Sequence, residues 1–92
     1  MTTPIVEMFR QIGGMNLLAI SGGRHKRIDD HTIELPVRYG YAVRVTYERG
    51  RDTYLVQQIF RRGTREWIKK EATDVYHTEL GEVAYRMSCF QN

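Results

Sequence analysis

The sequence predicts a single α+β domain, residues 1–92, in which a helix near each end packs on one face of an antiparallel sheet. Apolar residues recur with a period near 3.6 at both ends of the chain and with a period of two in between. Short turns that contain glycine separate the alternating stretches, as is typical of consecutive antiparallel strands. A chain of 92 residues has room for one domain with one core.

The N-terminal helix is predicted from its cap and from one apolar stripe. Thr3 offers an N-cap hydroxyl, and Pro4 suits the first helical position. Apolar residues then fall at i, i+3, i+4 and i+7, namely Ile5, Met8, Phe9 and Ile12. Gly13 and Gly14 end this helix. Residues 15–20 fit either a further helical segment or a buried strand, and a Ser-Gly-Gly turn ends that segment in both cases.

Four to five strands are predicted in the middle of the chain, where apolar and polar residues alternate. The first two form a short hairpin, with Pro36 at a sheet edge or a bulge. Turns at Gly50 and Gly63 join the later strands into a meander. The predicted strands cover residues 24–28, 31–37, 41–48, 53–61 and 65–70.

The C-terminal helix is predicted because the period returns to 3.6 after residue 70. Thr73 and Asp74 suit its start, and Gly81 weakens its middle. Its apolar face consists of Tyr76, Leu80, Val83, Ala84, Met87 and Phe90. The apolar stripes of both helices are predicted to cover the same face of the sheet.

The positive charge is concentrated in the centre of the chain. The net charge is +3, but residues 24–70 carry twelve Lys and Arg against six Asp and Glu, which gives +6, whereas residues 71–92 sum to −3. This distribution indicates either an anionic partner or halves that complement each other within the fold.

Several function classes are disfavoured by residues that the chain lacks. Cys89 is the single cysteine, so an internal disulfide and a thiolate metal cage are excluded. No apolar run is long enough to span a bilayer, and the N-terminus lacks the pattern of a signal peptide. His25, Asp29, Asp30 and His31 lie in one predicted hairpin without a recognised metal-ligand spacing. We therefore predict a cytoplasmic protein with no membrane partner, metal site or cofactor.

No catalytic site is predicted either. Cys89 lies near the end of a helix among core positions, where cysteine usually acts as a small apolar residue. Asp52, Glu66 and Lys69 come nearest to an acidic nuclease site, but Glu66 and Lys69 would point to opposite faces of their strand. The sequence contains no Gly-x-Ser-x-Gly nucleophile motif. We predict that the protein is not an enzyme.

The turn at Gly22 and Gly23, with Arg24 and Lys26 beside it, is a candidate anion-binding site. Glycines allow backbone N–H groups to face an anion while nearby cations neutralise it. The turn lacks the Gly-Lys-Ser/Thr end of a phosphate-binding P-loop. An ordinary chain reversal is the alternative.

A basic and aromatic segment is the main candidate for partner binding. Its residues are Arg44, Phe60, Arg61, Arg62, Arg65, Trp67, Lys69 and Lys70. Cations around large rings suit a protein interface, and they also suit phosphate contacts with base stacking. A third interpretation is structural, with Phe60 and Trp67 in the core and the cations on a solvated sheet face.

Four stretches of the chain have a recognisable pattern, namely MNLLAISGGR at residues 15–24, TIELP at 32–36, DTY at 52–54 and LGEVAY at 80–85. In these stretches the chain resembles small uncharacterised proteins encoded by bacteriophages of actinobacteria. The shared motifs are turns, strand starts and a helix, and the likeness covers most of the chain after residue 14. The resemblance implies an accessory phage protein in the bacterial host cytoplasm, with no catalytic residue to transfer.

These observations predict a non-enzymatic binding protein that modulates or inhibits a host factor. It would dock on a host or phage protein through its sheet and the basic and aromatic segment. The alternative is a nucleic-acid-binding module that uses the basic central sheet. A homodimer is a third arrangement that the sequence leaves open.

Overall fold

The computed structural model describes residues 4–89, which form three helices and five strands. The helices are α1 (Pro4–Ile12), α2 (Gly14–Ser21) and α3 (Leu80–Ser88). The strands are β1 (Lys26–Asp29), β2 (Thr32–Pro36), β3 (Tyr41–Glu48), β4 (Thr53–Arg62) and β5 (Arg65–Val75). Two predicted features, the N-cap Thr3 and the apolar-face residue Phe90, lie outside the described residues.

The strands form one antiparallel sheet in the order β1-β2-β3-β4-β5, so each strand pairs with its neighbours in sequence. This arrangement confirms the predicted α+β class and the meander, with five strands. The helices pack on one face of the sheet, which is called the inner face below. The opposite, outer face carries the other half of each strand's side chains.

The core lies between the helices and the inner face. Alternation places one set of strand residues there, namely Ile33, Leu35, Val43, Val45, Tyr54 and Val56, and all are buried. Met8 and Ile12 of α1 and Leu80 and Ala84 of α3 pack against them. Four of these residues belong to the apolar stripes that the sequence predicts for the two helices, so both stripes face the sheet as expected.

The N-terminal part contains two helices, whereas the sequence predicted one helix followed by a segment that could be a helix or a strand. Residues 15–20 lie within α2, so the helical alternative for this segment is confirmed. Gly13, with a left-handed φ of 90°, turns the chain between α1 and α2.

A buried tyrosine connects the first helix to the sheet. The Tyr54 hydroxyl donates a hydrogen bond to Gln11 Oε1 at 2.6 Å and so ties α1 to β4. Burial raises the pKa of Tyr54 to about 12.

The strand β5 is longer than predicted, and α3 is correspondingly shorter. β5 continues to Val75, past the predicted helix start at Thr73 and Asp74. Asp74 has a left-handed φ of 54°, and the pairing with β4 shifts there, as at a β-bulge. The extra residue brings both Ala72 and Val75 towards the core although they are three positions apart. Thr73 and Asp74 therefore belong to the bulged end of β5, and their prediction as the start of the helix is wrong.

Gly81 lies at the start of α3, and its small size permits close packing of the helices. A Cβ atom at this position would lie 2.6 Å from the Ile12 carbonyl oxygen and 2.6 Å from Asn16 Nδ2. The Asn16 amide itself donates to the same Ile12 oxygen at 2.9 Å. The glycine therefore lies where α3 crosses the end of α1 and the start of α2.

Gly81→Ala is expected to lower the free energy of unfolding by about 2 kcal/mol, because the methyl group must displace a helix backbone. Gly14→Ala is the matched control, since Gly14 also opens a helix but has open space around its Cα. This second change should be neutral or stabilise by about 0.5 kcal/mol. Urea unfolding of both variants measures the difference, and equal stabilities would refute the packing role of Gly81.

Candidate functional site

Three aromatic rings form a row on the inner face, at the end of the sheet next to the β4–β5 turn. Tyr41, Phe60 and Trp67 are paired in register across β3, β4 and β5. The ring centroids of Tyr41 and Phe60 are 4.9 Å apart, and those of Phe60 and Trp67 are 5.6 Å apart with an angle of 28° between the planes. The Gln58 amide donates to the Met87 carbonyl at 2.9 Å, so the end of α3 lies over the neighbouring rung of the sheet.

The tryptophan belongs partly to the surface. Phe60 is half-buried, whereas Trp67 is 40% exposed. Stacking on Phe60 holds the indole in place, so little side-chain freedom remains to be lost on binding. A large, held and accessible ring is a common anchor in protein interfaces.

Four exposed cations lie near this ring in the sequence of the two strands: Arg62 ends β4, and Arg65, Lys69 and Lys70 belong to β5. Within residues 4–89, none of the four takes part in an ion pair. The nearby carboxylate of Glu71 accepts a hydrogen bond from Gln57 at 2.8 Å. We call Phe60, Trp67 and these four cations the aromatic–basic patch.

The other two cations of the predicted binding segment, Arg44 and Arg61, are used inside the fold. Arg44 Nη2 donates to Glu34 Oε2 and to Glu66 Oε1, each at 3.0 Å. Arg61 Nη1 donates to Glu34 Oε1 at 2.6 Å, Arg61 Nη2 contacts the second Glu34 oxygen, and Arg61 Nε donates to Glu66 Oε1 at 2.9 Å. Each arginine thus binds both glutamates, and the four side chains close a neutral ion ring.

The ion ring draws one residue from each of β2, β3, β4 and β5 and lies on the outer face. The register places the Ala42–Ile59 pair between its Arg44 and Arg61 corners, and both residues of that pair are buried. The Glu34 side chain is only 3% exposed. The ring therefore covers the centre of a sheet face on which none of the helices of residues 4–89 packs.

Charge and hydrogen bonding keep the ring ionised. Burial raises the pKa of Glu34, but the hydrogen bonds and charges of Arg61 and Arg44 outweigh this effect, and the net pKa lies below the ordinary value. The hydrogen bond from Arg44 is the main cause of the lowered pKa of Glu66. Burial lowers the pKa of Arg44, but its hydrogen bonds to Glu66 and Glu34 outweigh this effect, and the hydrogen bond to Glu34 is the main cause of the raised pKa of Arg61, so both arginines have a raised pKa.

The predicted anion-binding turn is the C-terminal end of α2. The Gly22 and Gly23 N–H groups donate to the Leu18 and Leu17 carbonyls at 2.9 and 3.1 Å, and the Arg24 N–H donates to the Ser21 carbonyl at 3.2 Å. These donors are therefore occupied. The negative end of the helix dipole also points at this turn, which disfavours an anion. Lys26 lies apart from these groups, at the start of β1.

The polar residues of the β1–β2 hairpin have local partners. The His31 N–H donates to Asp29 Oδ1 at 2.8 Å, and Arg27 pairs with Asp30. The His25 ring packs edge-on against Phe9 at 4.7 Å. In the part of the chain that the structure describes, no group of three His, Cys, Asp or Glu side chains is placed to hold a metal ion.

The residues considered for a nuclease site or a nucleophile do not come together in one site. Asp52 precedes β4 and accepts from the Tyr47 hydroxyl at 2.6 Å, whereas Glu66 belongs to the ion ring at the opposite end of β4. Lys69 falls at the irregularity in the β4–β5 pairing, between the paired residues Ile68 and Lys70. Cys89 is exposed at the end of α3, away from the core position predicted for it.

Glu34, which accepts hydrogen bonds from both arginines of the ion ring, was not singled out from the sequence. It lies between two buried apolar residues in a short strand, so its side chain must face outward. Its cross-strand partner is Arg44. Both residues lie in strands that the sequence predicts. A search for opposite charges at facing positions of neighbouring strands is the signal that could have found the pair.

Comparison with known proteins gives no relative for this chain. No protein-family model matches it, and no curated protein or solved structure does so. The resemblance to phage proteins therefore stays a prediction. Among the helices of residues 4–89, none is long and apolar enough to cross a membrane.

Glu34→Gln is expected to lower the free energy of unfolding by about 2 kcal/mol at pH 7, because both ring arginines lose a charged acceptor in a buried place. The pKa of Glu34 is lowered in the folded state, so its contribution is present above the unfolded-state pKa of about 4.3 and is lost as pH falls through the folded-state pKa. The gap between parent and variant should therefore close towards pH 3.

Glu82→Gln is the control for this prediction, because Glu82 forms an exposed ion pair with Arg86 within α3. Removing an exposed pair should change the free energy of unfolding by less than about 0.5 kcal/mol. Urea unfolding at pH 7, 5 and 3 compares the variants. Equal, small effects of the two substitutions would show that the ring does not stabilise the fold.

Proposed function

We propose that this chain is a non-enzymatic binding protein that docks on an acidic surface of a partner protein through its aromatic–basic patch. The partner is a host or phage protein whose activity the docking modulates or inhibits. The phage setting and the bacterial cytoplasm follow from the resemblance of four sequence stretches. The docking surface follows from the sorting of charges in the sheet.

The sorting of charges is the observation that carries the proposal. Arg44 and Arg61 are neutralised by carboxylates on the outer face, whereas the four cations of the patch have no ion-pair partner among the described residues. They lie on β4 and β5 with Trp67, which is stacked on Phe60 and partly exposed. Unpaired cations around a held aromatic ring are the ingredients of a protein-interface hot spot.

The edge position of β5 favours docking by side chains. β5 is an edge strand of the sheet, but its pairing with β4 is irregular at two places, and the first half of β5 is strongly charged. Bulges and lysines on an edge strand discourage the addition of another strand. The patch therefore presents aromatic rings and cations to a partner. Strand addition to the edge of β5 through backbone hydrogen bonds is disfavoured.

A nucleic-acid partner is the second candidate, and the same row of rings favours it. Trp67 and Phe60 offer aromatic faces for base stacking, and the four cations offer phosphate contacts. The two candidates differ in salt dependence, because only a nucleic acid releases condensed counterions in proportion to its phosphate contacts.

Affinity purification of the tagged protein from a bacterial host lysate, with mass spectrometry, tests the proposed docking. We expect a specific protein to be recovered with and without nuclease treatment. Trp67→Ala and Arg65→Glu should each reduce its recovery at least tenfold, whereas Arg49→Glu should not. Arg49 is an exposed arginine in the β3–β4 turn, so Arg49→Glu makes the same charge change as Arg65→Glu but at the opposite end of β4. Recovery that is equal for parent, Trp67→Ala and Arg65→Glu would reject the patch as the docking surface.

Fluorescence anisotropy with a mixed-sequence single-stranded oligonucleotide tests the second candidate. If the four cations of the patch each contact a phosphate, the Kd should rise roughly 50-fold between 50 and 200 mM salt. Arg65→Glu should weaken this binding, and Arg49→Glu should weaken it much less. Absence of binding at 50 mM salt would eliminate the nucleic-acid candidate and leave the protein candidate in place.

A further inference from the structure

A second surface, unused by the proposed docking, lies between the ends of two helices and one turn of the sheet. A groove of about 700 Å³ separates the end of α2, the β2–β3 turn and the end of α3. Pockets that hold ligands or peptide side chains are commonly about 300 to 1,000 Å³. Its apolar lining includes Leu18, Ala19, Val37, Tyr39 and Tyr85.

The helix α2 exposes an apolar face beside this groove. Its sequence, GMNLLAIS, contains no charged residue, and only Ile20 and Ser21 are buried. Met15 is 83% exposed and Leu18 is 63% exposed. With Ala19 they continue at helical spacing along one side of α2, and we call these three residues the α2 stripe. An apolar helix face left open to solvent on a small domain indicates an interaction site.

The charges of the groove select the kind of partner. Arg24 and Arg38 are its only charged lining residues, and neither forms an ion pair within residues 4–89. Arg24 Nε donates to the Ser21 carbonyl at 3.3 Å, which holds its guanidinium at the end of α2. A second copy of the chain would bring the same two positive charges to the interface, which is unfavourable. An acidic partner would complement them.

We propose that the groove and the α2 stripe bind an acidic amphipathic helical segment of another protein. The apolar side chains of that segment pack on Met15, Leu18 and Ala19, and its carboxylates pair with Arg24 and Arg38. The mode is a helix in a groove, in which residues at i, i+3, i+4 and i+7 act as anchors. From Met15 to Gly22 the stripe and its cap extend about 10 Å, which matches about two turns of the bound helix.

This surface is distinct from the aromatic–basic patch. The groove is lined by α2, α3 and the β2–β3 turn, whereas the patch consists of residues of β4 and β5, and no residue belongs to both. Occupation of one surface therefore does not require the other. Binding in the groove is expected whether or not the protein docks through Trp67.

Two synthetic peptides of about 16 residues provide the probes. Both carry leucines at i, i+3, i+4 and i+7, and the remaining positions are mainly glutamate in one peptide and lysine in the other. Fluorescence anisotropy with the full chain should show saturable binding of the glutamate peptide and at least tenfold weaker binding of the lysine peptide. Absence of saturable binding by the glutamate peptide, or equal binding of both peptides, would overturn the proposal.

The single cysteine provides a second readout at the site. Cys89 lines the groove and is exposed, so iodoacetamide should alkylate it in the free protein. Saturating glutamate peptide should slow this alkylation at least fivefold, and the lysine peptide at the same concentration should not. Unchanged alkylation while the glutamate peptide is bound would place the peptide elsewhere and overturn the assignment.

Leu18→Glu and Arg38→Glu should each weaken binding of the glutamate peptide at least tenfold. Both residues are exposed, so the variants should keep the parent melting temperature within about 3 °C. Arg65→Glu is the control with the same charge change on the aromatic–basic patch, and it should bind the peptide as the parent does. Sedimentation of the parent should show a monomer. A dimer that Leu18→Glu dissociates would instead assign the stripe to a second copy and overturn the proposal.

Discussion

The three helices described within residues 4–89 lie on one face of the sheet, so the sheet must cover its other face with its own side chains, and the ion ring does so. Its four members come from four neighbouring strands, and their charges sum to zero. A slip of one residue between two of these strands would send a member of the ring to the inner face. The ring therefore links the cover of the outer face to the correct strand register.

The ring also decides which charges remain for binding. The central part of the chain has six more cations than carboxylates, and the ring removes two of each from the surface balance. The excess then falls on residues outside the ring, including the four cations of the aromatic–basic patch. A positively charged surface beside partly exposed aromatic rings results from this division, because the two faces of β4 and β5 serve different purposes.

The helical layer shows a similar division. α1 and α3 bury their apolar stripes against the sheet, and Gly81 lets them approach closely. α2 buries only its last turn and leaves Met15 and Leu18 in solvent. A chain of this length covers one sheet face with two helices and has apolar surface left over. The groove and the aromatic–basic patch both lie towards the end of the sheet that carries the β2–β3 and β4–β5 turns.

The sequence by itself determined the α+β class, the strand order and the apolar stripes of α1 and α3, because period and turn composition are local properties. It could not determine the end of β5, because Thr73 and Asp74 are residue types typical of a helix start, and only their position in the pairing with β4 shows that they continue the strand through a bulge. Nor could it distinguish Arg61, which belongs to the ion ring, from its neighbour Arg62, which is exposed. Only the pairing of four strands places Arg61 against Glu34, twenty-seven residues away, and leaves Arg62 in solvent. Contacts between distant residues depend on register and twist, and these exist only in the folded sheet.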